Sequence, residues 1–287
     1  MKPIASYHRT KEILAKYQRF AKSSFGQNFI IDPSVVDKIA ELSKAEKNSS
    51  ALEIGPGIGA LSEFLAKRAS QVTCVEIDPD MVEILKDTCA DYKNMKVIQA
   101  DFLTFDLESW VKEQRLTHER VIVCANLPYY ITTPILFRLF ESKEPVDVIT
   151  VMMQKEVAMR FVANTRTKDY NALSVIVQYL YEIKIVLHVG KHVFLPKPNV
   201  DSAVVQFIPK KIDRTLDQDK FFDLVKACFK QRRKTISNNL SEYIEDKPRV
   251  ASVLEQSGIR ANQRAEELDI ENFLQLYEVM YENKGIR

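Results

Sequence analysis

LEIGPGIGAL, residues 52–61, holds three of the chain's seven glycines: Gly55, Gly57 and Gly59. The stretch opens within a short apolar run, Ala51–Ile54, and its last residue, Leu61, starts a helical spacing continued by Phe64 and Leu65. Glycines between a strand and a helix let the backbone turn sharply. They also bring it close to a ligand at the helix N-terminus, where unpaired N–H groups collect. Glu76 ends the next apolar run about 20 residues on, where a carboxylate can accept both hydroxyls of a ribose. Gly55–Ala60 also satisfies the GxGxxA dinucleotide fingerprint, so a nicotinamide enzyme competes for the motif, as does a tight turn without ligand.

Working outward, short apolar runs recur at Val72–Ile77, Met95–Ile98, Val121–Ala125 and Val148–Met153, with helical patterns such as Val82 and Leu85 between them. Strands so spaced and buried on both faces predict a parallel α/β sheet with helices on both faces. A helix is expected from Asp32 (cap) and Pro33 (first turn), with Val35, Val36, Ile39 and Leu42 inward. After Asn171 come an apolar segment, Leu173–Leu187, and a last strand, Ala203–Ile208. The polar stretch Pro209–Asp219 marks a boundary. The expected domains are 1–209, with a basic N-terminal arm at 1–24, and an all-helical 210–287.

Acidic residues at the strand ends lean away from a nicotinamide ligand. Glu53 lies inside the glycine motif. Asp101 ends the third strand, where a carboxylate can take an adenine amino group, and Phe102 can flank that ring. Ligands of such sheets bind at the carboxyl ends of the strands. Gly55, Glu76 (followed by Ile77), Asp101 and Asn126 all fall there.

The run VIVCANLPYYITTP, 121–134, ends a strand on an amide, a proline and tyrosines. This combination suits methylation of an exocyclic amine, a poor nucleophile because its lone pair is delocalised into the ring. An Asn side-chain oxygen and a backbone carbonyl from Leu127–Pro128 can accept the two amine hydrogens and aim the lone pair at an electrophile. Proline fixes φ and brings no N–H. Tyr129 can stack on a flipped base.

In family order, FGQNFIID (25–32), LEIGPGIGALS, VEIDPD, ADFLTF, ANLPYYITTPIL, MMQKEVAMRFVA, KDYNALSVIVQY and FLPKPNVDSAVV resemble the motifs of the ribosomal RNA adenosine dimethyltransferases. QRRKTISNNLS (231–241) and GIRANQRAEELDIENF resemble the bacterial small-subunit, KsgA-like branch. The resemblance implies a Rossmann-like class I methyltransferase sheet plus a small helical domain. It implies S-adenosyl-L-methionine as cofactor, no metal, and N6 dimethylation of two adjacent adenosines near the 3′ end of small-subunit rRNA. By position it assigns the cofactor to Asn28, Ile30, Gly55, Gly57, Glu76, Ile77, Asp101, Phe102 and Asn126. Asn126, Leu127 and Pro128 would bind the target amine, and Tyr129 and Phe194 would sandwich its base; read from the sequence alone, Phe194 is an ordinary core aromatic.

Net charge is +2, unevenly spread: residues 1–34 carry six Lys/Arg against Glu12 and Asp32, a balance of +4. Lys226, Lys230, Arg232, Arg233 and Lys234 form a second basic cluster, in which Lys226, Lys230, Arg233 and Lys234 recur at helical spacing with Phe222, Val225 and Phe229 inward. With His8, Arg9, Lys11, Lys16, Arg19 and Lys22 in the arm, these are the candidate phosphate contacts to small-subunit rRNA or an immature small subunit. The bland alternative is a solvated face. No apolar run nears the ~18 residues that span a bilayer. The first twenty residues hold no signal-like apolar segment, and the four cysteines are scattered, so a cytoplasmic, reduced protein is expected. One complete site per chain leads us to expect a monomer. Three other readings stay open: a large-subunit rRNA methyltransferase conferring antibiotic resistance, a nicotinamide dehydrogenase, and a largely non-catalytic ribosome-assembly checkpoint.

Overall fold

The computed structural model describes residues 2–18, 28–212 and 216–282. Arg19, Lys22 and the first residues of FGQNFIID lie outside them. The described chain divides into two compact units, Met1–Ala158 with Ile183–Pro209, and Met159–Glu182 with Lys210–Arg287. This differs from the expected 1–209 and 210–287, because residues 159–182 go with the second unit. Tyr170, Val175, Ile176 and Tyr179 share a core with Phe221, Phe273 and Tyr277. Tyr179 and Phe221 lie 4.9 Å apart, centroid to centroid.

Nine strands are present among the described residues. They are β1 (Phe29–Ile30), β2 (Ser49–Ile54), β3 (Gln71–Glu76), β4 (Met95–Gln99), β5 (Arg120–Asn126), β6 (Val148–Gln154), β7 (Tyr181–Val189), β8 (Phe194–Leu195) and β9 (Ser202–Pro209). Seven form one sheet in the order β4-β3-β2-β5-β6-β9-β7, and β1 pairs with β8 apart from it. β4, β3, β2, β5 and β6 run parallel, and β9 joins β6 antiparallel. Every residue of β2 is buried, as a strand covered by helices on both faces requires. Sequence-consecutive strands run outward from β2 in one direction, through β3 to β4. The chain then returns to place β5 on the other side of β2. That reversal is the switch point at which α/β sheets open a crevice.

The helix Pro33–Leu42 starts as the sequence requires. The Asp32 side chain accepts from the Ser34 N–H, and Pro33 occupies the first turn. The segment Leu173–Leu187 resolves into a helix, Ala172–Leu180, capped by Asn171, and strand β7. Before the sheet, Tyr7–Lys16 forms a helix anchored by buried Ile13; nearby, Ile4 N–H donates to Glu63 Oε2 at 2.8 Å. No helix among the described residues is long and apolar enough to cross a membrane.

Candidate active site

The glycine loop turns β2 into the helix Ala60–Arg68. Gly55, Gly57 and Gly59 take φ of +66°, +58° and +94°, the region that disfavours side chains. At Gly59 an added Cβ would lie 2.7 Å from Cys89 Sγ and 2.9 Å from Leu85 Cδ1. At Gly55 it would meet nothing within 4 Å, because a cavity comes up to the backbone there.

Glu76 ties this loop to the end of β3. One carboxylate oxygen accepts from Gly57 N–H at 3.0 Å, the other from Asp78 N–H at 2.9 Å. Burial pushes its pKa above the ordinary value, and the two N–H groups pull it back. Glu53 is more deeply buried, and burial raises its carboxyl to about 7, partly offset by the Ser62 hydroxyl and by the Cys74 thiol, which donates to it at 3.5 Å. Asp101 caps a short turn by accepting from Leu103 N–H at 2.9 Å. Phe102 is buried beside it, and Ile77 is 49% exposed on the cavity wall.

On the other side of β2, strand β5 ends in Asn126. Its side-chain Nδ2 donates to the Asn28 backbone carbonyl at 3.3 Å. A carbonyl can only be met by the NH2 end of an amide, so this contact fixes which way Asn126 points. The Pro128 carbonyl is filled twice, by Ile131 N–H at 3.2 Å and the Thr132 hydroxyl at 3.0 Å. The Leu127 N–H donates to the Met152 carbonyl at 3.3 Å. Of the two carbonyls the sequence offered for an amine, Pro128's is therefore consumed by the turn, and Leu127's is the one left. Tyr129 is half-buried, its hydroxyl sharing a hydrogen with the buried Ser202 Oγ at 2.8 Å.

The cavity is lined by Asn28, Ile30, Gly55, Gly57, Glu76, Ile77, Asp101, Phe102, Asn126, Leu127, Pro128 and Tyr129. Phe194 departs from the expectation. It does not line the cavity but is 3% exposed in the core of the first unit. Its pairing with Ile30 on β1 turns the ring inward, the ordinary reading of that residue from sequence alone. Reading the sequence missed Ser202, quoted in FLPKPNVDSAVV without a role, and Tyr130, which lines the cavity at 59% exposure. The doubled tyrosine was the available signal for the second.

The basic cluster also differs from its reading. Of that cluster the helix Gln218–Cys228 carries only Lys226, and Lys230, Arg232, Arg233 and Lys234 lie in the following turn. Where the helix ends, the Asn239 side-chain NH2 donates to the Cys228 carbonyl at 2.6 Å. Lys230 and Lys234 both pair with Glu242, at 3.2 and 2.8 Å, and Arg232 pairs with Glu266 at 2.9 Å. In the arm, Lys16 pairs with Asp87 at 2.7 Å.

The family described as ribosomal RNA adenine dimethylase matches residues 19–282. The chain belongs to that family. It is 45% identical to the ribosomal RNA small subunit methyltransferase A of Bacillus cytotoxicus, covering 99% of both chains. It is 46% identical to the protein of the same name in Bacillus mycoides, over 96% of this chain and 97% of that one. Among solved structures, a dimethyladenosine transferase from Plasmodium falciparum superposes with a TM-score of 0.75 at 27% identity, over 90% of this chain and 98% of that one. The 23S rRNA methyltransferase ErmE superposes with a TM-score of 0.67 at 27% identity, over 88% and 98%.

Members of this family use S-adenosylmethionine, and the cavity's residues fit it. Open space at Gly55 admits a ligand against the backbone, the Glu76 carboxylate faces the same cavity, and Ile77 and Phe102 offer apolar surface beside Asp101.

Proposed function

We propose that this chain dimethylates the N6 amines of two adjacent adenosines near the 3′ end of small-subunit ribosomal RNA. It would act as a monomer, on the immature small subunit, in the cytoplasm. The observation that carries the reading is the Asn126 side chain, held by the Asn28 carbonyl so that its oxygen is the acceptor left for a substrate.

Asn28, Ile30, Gly55, Gly57, Glu76, Ile77, Asp101 and Phe102 would hold S-adenosylmethionine. When bound, that group supplies an electrophilic methyl. The chain's own residues bind and orient the amine. Asn126 Oδ1 and the Leu127 carbonyl accept its two hydrogens and draw the nitrogen lone pair out of conjugation with the ring. Tyr129, fixed by Ser202, offers a stacking face to the flipped base. No strong base is required, because the N6 proton becomes acidic once the nitrogen is alkylated. Rate then comes mainly from holding the reacting atoms in line.

The relatives named for the small subunit stand at 45–46% identity, against 27% for ErmE, which favours the small subunit over the large one. The salt-bridged basic turn of the second unit is the proposed RNA-contacting surface, with phosphates exchanging for Glu242 and Glu266. The test is transfer of labelled methyl, in parallel, to under-methylated small subunits and to naked large-subunit rRNA. Label in the small subunit supports the reading. Label only in the large-subunit RNA moves the protein to the resistance methyltransferases.

A further inference from the structure

Two tyrosines stand side by side at the mouth of the cavity, and they are held differently. Tyr129 is half-buried and tied through its hydroxyl to Ser202. Tyr130 lines the same cavity with 59% of its surface exposed, and no hydrogen bond or ring contact holds it among the described residues. Its ring therefore offers a flat aromatic face at the edge of the cavity.

Position narrows what covers it. Tyr130 follows β5, on the side of the crevice that carries Asn126. Glu76 ends β3 and Asp101 follows the end of β4, two and three strands away in the order β4-β3-β2-β5. At about 4.8 Å per strand those ends lie roughly 10 and 14 Å off along the sheet. The ring therefore belongs to the amine side of the cavity, not to the side with the ribose and adenine acids. Tyr129 already has the place next to Asn126–Pro128, and Phe194 is sunk in the core. What remains for Tyr130 is the next nucleotide along the strand.

We propose that Tyr130 stacks on the base adjacent to the adenosine held by Asn126, and so positions the two target nucleotides relative to one another. This rests on the reading above, in which the two target adenosines are adjacent in the strand. Stacking needs a flat π face, not a hydroxyl, which makes the role separable from bulk or folding.

The experiment compares wild type with Tyr130→Ala, Tyr130→Leu and Tyr130→Phe. It measures kcat/KM for methyl transfer to under-methylated small subunits, and S-adenosylhomocysteine affinity by calorimetry. Loss of one base stack is expected to lower kcat/KM for Ala and Leu by roughly ten- to hundred-fold, with Phe near wild type. Cofactor affinity should stay within about twofold of wild type, because the ring lies on the amine side. Unchanged transfer by Tyr130→Ala overturns the proposal, as does equal rescue by Leu and Phe. A loss of cofactor affinity that matches the loss of transfer also overturns it, since the ring would then cover the cofactor. If wild type itself labels no small subunit, the reading beneath fails and this inference falls with it. Transfer by wild type with an unaffected Ala variant sinks this inference alone.

Discussion

Asn126 and Asn28, 98 residues apart, meet at 3.3 Å, with the side-chain NH2 of the first donating to the backbone carbonyl of the second. The contact settles an orientation that an isolated amide would leave open, because only the NH2 end can face a carbonyl. It also links the strand end that would bind the amine to the segment leading into β1.

Asn126→Ala should lower methyl transfer by at least about a hundred-fold, since misplacing a reacting group by about 1 Å costs that much. Asn126→Asp should be comparably impaired despite its size, because a carboxylate oxygen would face the Asn28 carbonyl. Single-turnover rates measure both, with circular dichroism to verify folding. An Asp variant near wild type would contradict this orientation.

Glu76→Ala removes acceptors from two backbone N–H groups at once, those of Gly57 and Asp78. Hydrogen bonds to a charged group contribute about 1.5–3 kcal/mol each. The expected outcome is a lower melting temperature together with at least about tenfold weaker S-adenosylhomocysteine binding by calorimetry. Unaltered binding would remove Glu76 from the cofactor site.

Glu53 sets a pH dependence whose sign can be worked out. Its carboxyl has an ordinary value of 4.5 and sits at about 7 when folded. Between those values the folded chain holds a proton that the unfolded chain has released. Stability therefore falls as pH rises from about 4.5 to about 7, and stays lower above it, by an amount on the order of a few kcal/mol. Glu53→Gln should melt higher than wild type at pH 8, with the gap closing toward pH 5. Thermal melts across that range measure it, and parallel curves for the two proteins would contradict it.

Gly59→Ala and Gly55→Ala should part company. At Gly59 a Cβ would press on Cys89 and Leu85 in a left-handed backbone, so strain and overpacking together should cost about 2–4 kcal/mol. At Gly55 the space is open, so stability should fall by only about 1–2 kcal/mol from the backbone alone. Cofactor affinity should drop sharply there, because the methyl would enter the cavity. Melting temperature and binding, measured on both variants, separate the two effects.

The parallel strands were legible because a strand covered on both faces is a largely apolar run, as over Val121–Ala125 of β5, and β2 kept that signal despite its buried Ser49, Ser50 and Glu53. The strand-end positions of Gly55, Glu76, Asp101 and Asn126 followed from that register, and the structure lines one cavity with all four. The joint within 172–189 was missed although the pattern changes there: the helix Ala172–Leu180 is mostly apolar, whereas β7 interleaves Glu182, Lys184 and His188. Phe194 could not be placed beforehand, because its pairing with Ile30 spans 164 residues. The basic turn was misread for a similar reason. Helical spacing runs on past Cys228, but the helix ends there, where the Asn239 side chain from the next helix donates to the Cys228 carbonyl.

The most direct measurement is where the methyl groups land. Small subunits lacking the modification would be incubated with the protein and labelled S-adenosylmethionine, and the labelled RNA digested and sequenced by mass. The expected result is two adjacent adenosines near the 3′ end, each carrying two methyls on N6, with the product lost for Asn126→Ala. Label on a ring nitrogen, a ribose or a base other than adenine would contradict the assignment of Asn126 and Leu127 to an exocyclic amine.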